Sequence, residues 1–134
     1  MEIIAEIGQN HNGNIELALE LINEAKANGA DVAKFQLYDA KAIFPKENNE
    51  WFKYNCKTEL SREQLSILAD ECKKIDIEFM ASVFDVKRVS WTEGIGVRRY
   101  KTASSSINDK NLLREIAGTG KPIIVSLGMW NQKV

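Results

Sequence analysis

The chain has 134 residues, of which 44% are hydrophobic, and its 18 Lys and Arg against 19 Asp and Glu leave a formal charge of −1. This composition excludes a disordered chain and predicts one folded domain with its own core. It offers no basic surplus for nucleic acid, and apolar runs of only a few residues exclude a membrane-spanning helix. The acidic start lacks the basic region of a signal peptide, and Cys56 and Cys72 are interpreted as ordinary thiols, so we expect a cytoplasmic protein.

Short apolar runs alternate along the chain with segments of helical periodicity. Five buried strands are predicted at residues 3–7, 32–37, 77–83, 99–102 and 123–126. Four helices are predicted between them: from the cap Asn14 to Gly29, from the capping box of Ser61 and Gln64 through Cys72, from Asp85 through Trp91, and from Asn108 or Asp109 to Gly118.

The stretch 38–58 is predicted to be a long polar and aromatic loop. Its aromatic residues Trp51, Phe52 and Tyr54 allow three interpretations. They cap a binding site, they meet another subunit, or they pack the loop against the rest of the domain.

The alternation of strands and helices predicts a parallel α/β sheet covered by helices, because the strands are apolar on both faces. Two architectures fit this order. One is an open doubly wound sheet, for which five strands suffice, and the other is part of a (β/α)8 barrel, which typically takes about 250 residues. No break in composition marks a linker, so residues 1–134 are treated as one unit.

Polar side chains stand near the carboxyl end of each predicted strand, on one face of the sheet. Strand parity selects Glu6, Lys34 with Gln36, Ser82, Lys101 and Ser126. The opposite face is predicted to be apolar, with Ile3, Ala33, Phe35, Phe79, Ala81, Ile123 and Val125. Parallel-sheet enzymes bind ligands at this end of the strands, and two lysines with hydroxyl groups suit a small phosphate or carboxylate anion. The alternative is a Lys34–Glu6 ion pair that stabilises the sheet without a ligand.

The loop after the first strand holds Asn10 and the only histidine, His11. A lone histidine without nearby carboxylates cannot build a metal site, so no metal ligands are assigned. His11 is a candidate hydrogen-bonding residue or general acid, and the alternative is a histidine that only orders its own turn.

Five motifs in order resemble the sialic acid synthase (N-acetylneuraminate synthase) family. The first is AEIGQNHNG at residues 5–13, and the second is GADVAKFQ at 29–36. The others are FMASVF at 79–84, YKTAS at 100–104 and KPIIVSLGM at 121–129. Together they cover nearly the whole chain except the stretch 38–58, and five ordered motifs are far more specific than any single one.

The resemblance implies the N-terminal portion of a (β/α)8 barrel, of which the chain holds about five strands and four helices, without the later strands or the family's C-terminal antifreeze-like domain. It implies condensation of phosphoenolpyruvate with an N-acylated amino sugar of the N-acetylmannosamine type, giving a nine-carbon 2-keto acid. It also implies a divalent metal, Mn or Mg, whose ligands are not in this chain, and a homo-oligomer.

Site roles follow the motifs. Phosphoenolpyruvate would be held by Lys34, Ser82, Lys101, Ser104 and Ser126. Gln36 would face the sugar, with Asn10 and His11 as further binding residues, while Glu6 and Lys34 are the catalytic candidates. One departure is Ser106, which stands where the family often has an acid.

Two other functions remain open at this point. The first is a non-catalytic anion-binding or interaction module derived from such a synthase. The second is a (β/α) aldolase that uses Lys34 or Lys101 as a Schiff-base amine. Because the metal ligands are not in the chain, we expect it to have little synthase activity alone.

Overall fold

The computed structural model describes residues 1–44 and 50–128. Its parallel strands are β1 (Ile4–Gly8), β2 (Val32–Leu37), β3 (Glu78–Val83), β4 (Tyr100–Thr102) and β5 (Ile123–Val125). Its helices are α1 (Ile15–Ala27), α2 (Ala40–Ile43), α3 (Glu50–Thr58), α4 (Arg62–Lys74), α5 (Val86–Gly94) and α6 (Lys110–Gly118). A 3₁₀ turn, Ser104–Ser106, follows β4.

The strands lie in the sheet in their order along the chain, β1-β2-β3-β4-β5. A doubly wound sheet reverses its strand order at a switch point, whereas a (β/α) barrel adds each strand beside the one before it. The strand order therefore excludes the open doubly wound sheet and fits a barrel.

An ion pair at the amino end of the sheet links the first strand to the fourth. Arg99 lies just before β4, and Glu2 lies just before β1. Arg99 donates from Nη1 to Glu2 (2.8 Å) and from Nε to Glu78 on β3 (2.9 Å). Three strand spacings would separate β1 from β4 by about 14 Å in a flat sheet. This contact links the amino ends of β1 and β4, and together with the strand order it agrees with the predicted incomplete (β/α) barrel.

Four predicted helix starts are confirmed by their caps. The Asn14 side chain accepts from the Leu17 amide (3.0 Å), and Ser61 and Gln64 form the reciprocal capping box. Asp85 and Asp109 cap α5 and α6 in the same way, so Asp109 and not Asn108 fills the last position. The predicted stop at Gly29 is one residue late: Asn28 is the C-cap of α1, and Gly29 follows it with a φ of 88°.

The long loop predicted at 38–58 is wrong for its described part, because α2 and α3 occupy much of it. The buried positions of α3 are Asn55 and Thr58, which are polar. Its inner face therefore gives no apolar periodicity, although the helix packs firmly on the domain. The predicted strand ends are confirmed to within one residue, and α5 extends three residues beyond Trp91.

The helix-covered face of the sheet forms the core. Ala33, Phe35, Phe79 and Ala81 are buried there as predicted, and the rings of Phe35 and Phe79 stack with their centroids 5.6 Å apart. Ile3 and Val125 were predicted on the same face, but they are 50% and 41% exposed, because they lie at the two edges of the sheet. No helix among the described residues has the length and apolar character needed to cross a membrane.

Candidate functional site

Glu6, Lys34 and Ser82 come together at the carboxyl ends of β1, β2 and β3. Glu6 is paired in register with Lys34, and Gln36 is paired with Ser82. The Lys34 ammonium lies 2.5 Å from Glu6 Oε2 and donates to Ser82 Oγ (3.1 Å). Lys34 is only 3% exposed, whereas the Glu6 side chain is 54% exposed. The lysine is thus held from within the sheet, and the carboxylate faces the open side.

Lys101 and Ser126 form the second half of the site. Lys101 lies beside Ser82 in the register of β3 and β4, and its Nζ donates to Ser126 Oγ (2.7 Å). Burial lowers the pKa of Lys101, and repulsion from Lys34 lowers it further, against a smaller attraction from Glu6. Across residues 1–44 and 50–128, no carboxylate lies within ion-pair distance of Lys101. We call Lys34, Ser82, Lys101 and Ser126 the lysine–serine cluster.

Two glycines allow neighbouring polar side chains to approach the cluster's edge. Gly8 has a φ of 55° at a bulge in β1, and a Cβ there would lie 3.2 Å from Glu6 Oε1 and 3.7 Å from Gln36 Nε2. A Cβ on Gly128 would lie 3.1 Å from Ser104 Oγ. Gln36 therefore lies on the Glu6 side of the site, and Ser104 lies on the β5 side.

The structure places Asn10 and His11 differently from each other. Asn10 is exposed in the turn after β1. His11 is 1% exposed, packs against Phe35 with ring centroids 6.1 Å apart, and accepts the Gly13 amide at Nδ1 (3.1 Å). Burial lowers the pKa of His11 and so favours the neutral ring. His11 orders its own turn on the core side and is not brought to the lysine–serine cluster.

Sequence reasoning missed a polar network that joins the β1 loop to α3. The Gln9 amide nitrogen lies 2.5 Å from the Tyr38 hydroxyl, 2.6 Å from Asn55 Oδ1 and 3.0 Å from Thr58 Oγ1. The Tyr54 hydroxyl donates to the Gln9 carbonyl (3.2 Å). The aromatic residue Tyr54 thus packs the segment onto the loop, while Trp51 remains 69% exposed with its ring edge-on to Tyr54.

A second network holds the same segment from the other side. Arg88, 3% exposed, pairs with Glu59 (3.0 Å) and Asp85 (3.2 Å) and lies 4.7 Å from the Trp91 ring. Glu59 also accepts the Ala40 amide (2.9 Å). The buried Arg88 guanidinium thus links α5 to Glu59, which follows α3 and also binds the start of α2.

The described residues do not fit a divalent metal. Over residues 1–44 and 50–128, no three His, Cys, Asp or Glu side chains converge to hold an ion. His11 already uses Nδ1 for its turn, and the Glu6 carboxylate is bound to Lys34. Ser106, at the position of the family acid, is buried and not exposed to the open end of the strands.

Fold and site together describe a parallel sheet with an anion-complementary cluster at its carboxyl end, as in barrel enzymes. The chain belongs to the NeuB family, whose model matches residues 21–133. The N,N'-diacetyllegionaminic acid synthase of Legionella pneumophila is 36% identical to it over 95% of this chain and 39% of its own length.

Solved structures agree with this assignment. The N-acetylneuraminic acid (sialic acid) synthetase of Leptospira borgpetersenii, in complex with citrate, superposes with a TM-score of 0.91 at 36% identity, over 96% of this chain and 45% of its own. A truncated 3-deoxy-D-arabino-heptulosonate 7-phosphate synthase from Thermotoga maritima shares the fold alone, with a TM-score of 0.72 at 14% identity, over 98% of this chain and 42% of its own. The chain thus spans less than half the length of these relatives.

Proposed function

We propose that the chain provides the phosphoenolpyruvate-binding portion of a sialic-acid-type synthase. In this reaction C3 of phosphoenolpyruvate attacks the aldehyde carbon of an open-chain N-acylated amino sugar of the N-acetylmannosamine type. Water adds at C2, and phosphate leaves with cleavage of the C–O bond. The product is a nine-carbon 2-keto acid. The family assignment and the relatives' names support this reaction class.

One observation supports the anion site above all others, namely that Lys101 has no acidic partner among the described residues. It is part-buried beside Lys34, whose own charge is paired with Glu6. A cation taken out of water without a counter-ion is costly, so the site gains free energy when an anion enters. The citrate in the Leptospira structure is a small carboxylate anion of the same chemical class.

In this proposal different residues bind phosphoenolpyruvate and the sugar. Lys101 and Ser126 bind one charged end of phosphoenolpyruvate, and Lys34 with Ser82 binds the other, with Ser104 beside them. Gln36 faces the sugar, and Glu6 lies where a proton must move during the addition of water. Asn10 is the exposed residue of the neighbouring turn that can meet the sugar.

Calorimetric titration with phosphoenolpyruvate tests the site. Lys101→Ala removes the unpaired cation, and a hydrogen bond to a charged group is worth about 1.5–3 kcal/mol, so we expect affinity to fall about 10- to 100-fold. Lys121→Ala is the matched control, because Lys121 pairs with Glu93 (2.6 Å) and not with the cluster. Equal affinities in wild type and Lys101→Ala would refute the proposal.

A non-catalytic anion-binding module is the second candidate, because the lysine–serine cluster by itself accounts for anion binding only. It predicts phosphoenolpyruvate binding without turnover, even when the remaining part of a related synthase is supplied. The divalent metal implied by the resemblance is not assigned to any residue of this chain. A cytoplasmic location and a homo-oligomer complete the proposal.

A further inference from the structure

Gln9 ties the backbone of the β1 loop to helix α3 through its amide group and its carbonyl. The side-chain nitrogen meets Tyr38, Asn55 and Thr58, and its carbonyl accepts from Tyr54. Asn55 and Thr58 are buried within α3, so these contacts form away from bulk water. Loss of the Gln9 amide would leave Asn55 Oδ1 without its hydrogen-bond donor, which is costly for a buried group, whereas Tyr38 and Thr58 keep their bond to each other (2.7 Å).

The loop is also pressed against α3 at a second point. Gly13 lies so near the end of this helix that a Cβ there would be 2.2 Å from the Lys57 carbonyl oxygen. The turn between the two anchors is closed by backbone bonds from Asn12 to Gln9 and from Asn14 to His11. The loop is thus fixed at both of its ends by one helix.

The loop's position sets the geometry on one side of the site. Gln9 directly follows Gly8, whose backbone lies next to the Glu6 carboxylate and the Gln36 amide. Lys101 on β4 and Ser126 just after β5 lie three and four strands away, and the hydrogen bond between them does not involve this loop. A shift of the loop would therefore displace Glu6 and Gln36 but leave Lys101 and Ser126 where they are.

We propose that Gln9 is a positioning residue, and that through it α3 holds the acceptor-sugar wall of the site, formed by Glu6, Gln36 and Asn10. This inference rests on the proposed function, because it concerns the sugar-binding side of the same site, which α3 positions. It separates two parts of the site: the contact of Gln9 with α3 acts on the sugar side, which includes the Glu6 partner of Lys34, whereas Lys101 and Ser126 hold phosphoenolpyruvate without it.

The test compares Gln9→Leu and Thr58→Val with the wild type. Gln9→Leu removes the donor. If Gln9→Leu fails to fold, the nearly isosteric Thr58→Val removes one acceptor of Gln9 together with the bonds of the Thr58 hydroxyl to Tyr38 and to the Tyr54 carbonyl. Gln64→Leu is the matched control, because Gln64 makes a side-chain hydrogen bond to Ser61 (3.0 Å) at the start of α4, outside the site. Three quantities are measured: amide hydrogen exchange over residues 8–14, affinity for phosphoenolpyruvate, and affinity for N-acetylmannosamine in its presence.

In Gln9→Leu we expect exchange over residues 8–14 to be about tenfold faster and N-acetylmannosamine affinity to be about tenfold weaker, with a smaller change in Thr58→Val. Phosphoenolpyruvate affinity should stay within about twofold of the wild type, and Gln64→Leu should change none of the three. Unchanged loop exchange in both variants would overturn the inference, as would a loss of phosphoenolpyruvate affinity as large as in Lys101→Ala. If the wild type binds neither compound, the proposed function fails and the acceptor wall with it, whereas the exchange data alone decide whether Gln9 holds the loop.

Discussion

Glu6→Gln separates an anion site from an ion pair that only stabilises the sheet. The substitution keeps the side chain's shape and removes the charge opposite Lys34, leaving the Ser82 hydroxyl at 3.1 Å as a partner. Breaking a buried pair costs about 3–5 kcal/mol and an exposed pair about 0–1 kcal/mol. The Lys34 side chain is 4% exposed and that of Glu6 54%, so we expect a loss of about 1–3 kcal/mol in the free energy of unfolding.

The assay is urea unfolding followed by circular dichroism in a buffer without phosphate or carboxylates. An anion that enters the cluster would replace the missing carboxylate, so phosphoenolpyruvate should stabilise Glu6→Gln more than the wild type. Stabilisation by a ligand at 100 times its Kd is about 2.7 kcal/mol, which is well within the resolution of such curves. Glu71→Gln is the control, because its partner Lys74 is largely exposed and lies on α4.

Two results would refute this reasoning. If Glu6→Gln unfolds at the wild-type urea concentration, Lys34 does not depend on the carboxylate. If phosphoenolpyruvate stabilises neither protein, the pair is a structural ion pair and the cluster binds no anion of this kind.

Four further predictions concern the pKa of His11, the close approach of Gly13 to Lys57, the catalytic activity of the chain alone, and the outer edges of β1 and β5. Because burial holds the pKa of His11 below its unfolded value near 6.5, the unfolded state binds the proton more readily, and unfolding free energy should fall as pH drops through and below 6.5. Urea midpoints measured between pH 5 and 7.5 should show this slope in the wild type, and a slope of equal size in His11→Gln would contradict it. Gly13→Ala should lower the free energy of unfolding by at least about 2 kcal/mol, because φ is 77° and the added Cβ would lie 2.2 Å from the Lys57 carbonyl oxygen. Gly29→Ala, with a φ of 88° and open space around it, should lower it by only about 1–2 kcal/mol. Equal losses of stability in thermal unfolding would contradict the clash at Gly13. The chain alone, given phosphoenolpyruvate and N-acetylmannosamine, should release no phosphate above the blank in a coupled assay, and borohydride with pyruvate should trap no adduct on Lys101. Since the outer edges of β1 and β5 pair with no strand among the described residues, the chain should self-associate in light scattering, and a monodisperse monomer would contradict this.

The parts of the fold with a strong local signal could be predicted from the sequence. Apolar runs located all five strands to within one residue. The side chains of Asn14, Ser61 and Asp85 located three helix starts, and the start of α6 was narrowed to Asn108 or Asp109. Strand parity placed Glu6, Lys34 and Ser82 on one face, where the structure has them in contact. These features depend on residues close in sequence, so the pattern alone contains them.

The features that the sequence did not reveal depend on contacts between distant residues. Helix α3 was missed because its buried positions, Asn55 and Thr58, are satisfied by Gln9, which lies more than forty residues earlier. His11 looked like a residue of the open loop, and only tertiary packing against Phe35 shows that it is buried. Arg88 is buried among charges that come partly from a distant segment, since it pairs with Glu59 as well as with its neighbour Asp85.

The arginine bridge at the amino end of the sheet has a consequence for how the chain folds. Glu2 and Arg99 are separated by 97 positions, so their bond closes a loop that spans most of the molecule. Closing so long a loop is entropically unfavourable until the intervening strands have paired. During synthesis the contact between the first and fourth strands therefore forms only after the fourth strand has emerged. Variants of Arg99 should slow this late step more than the early pairing of neighbouring strands.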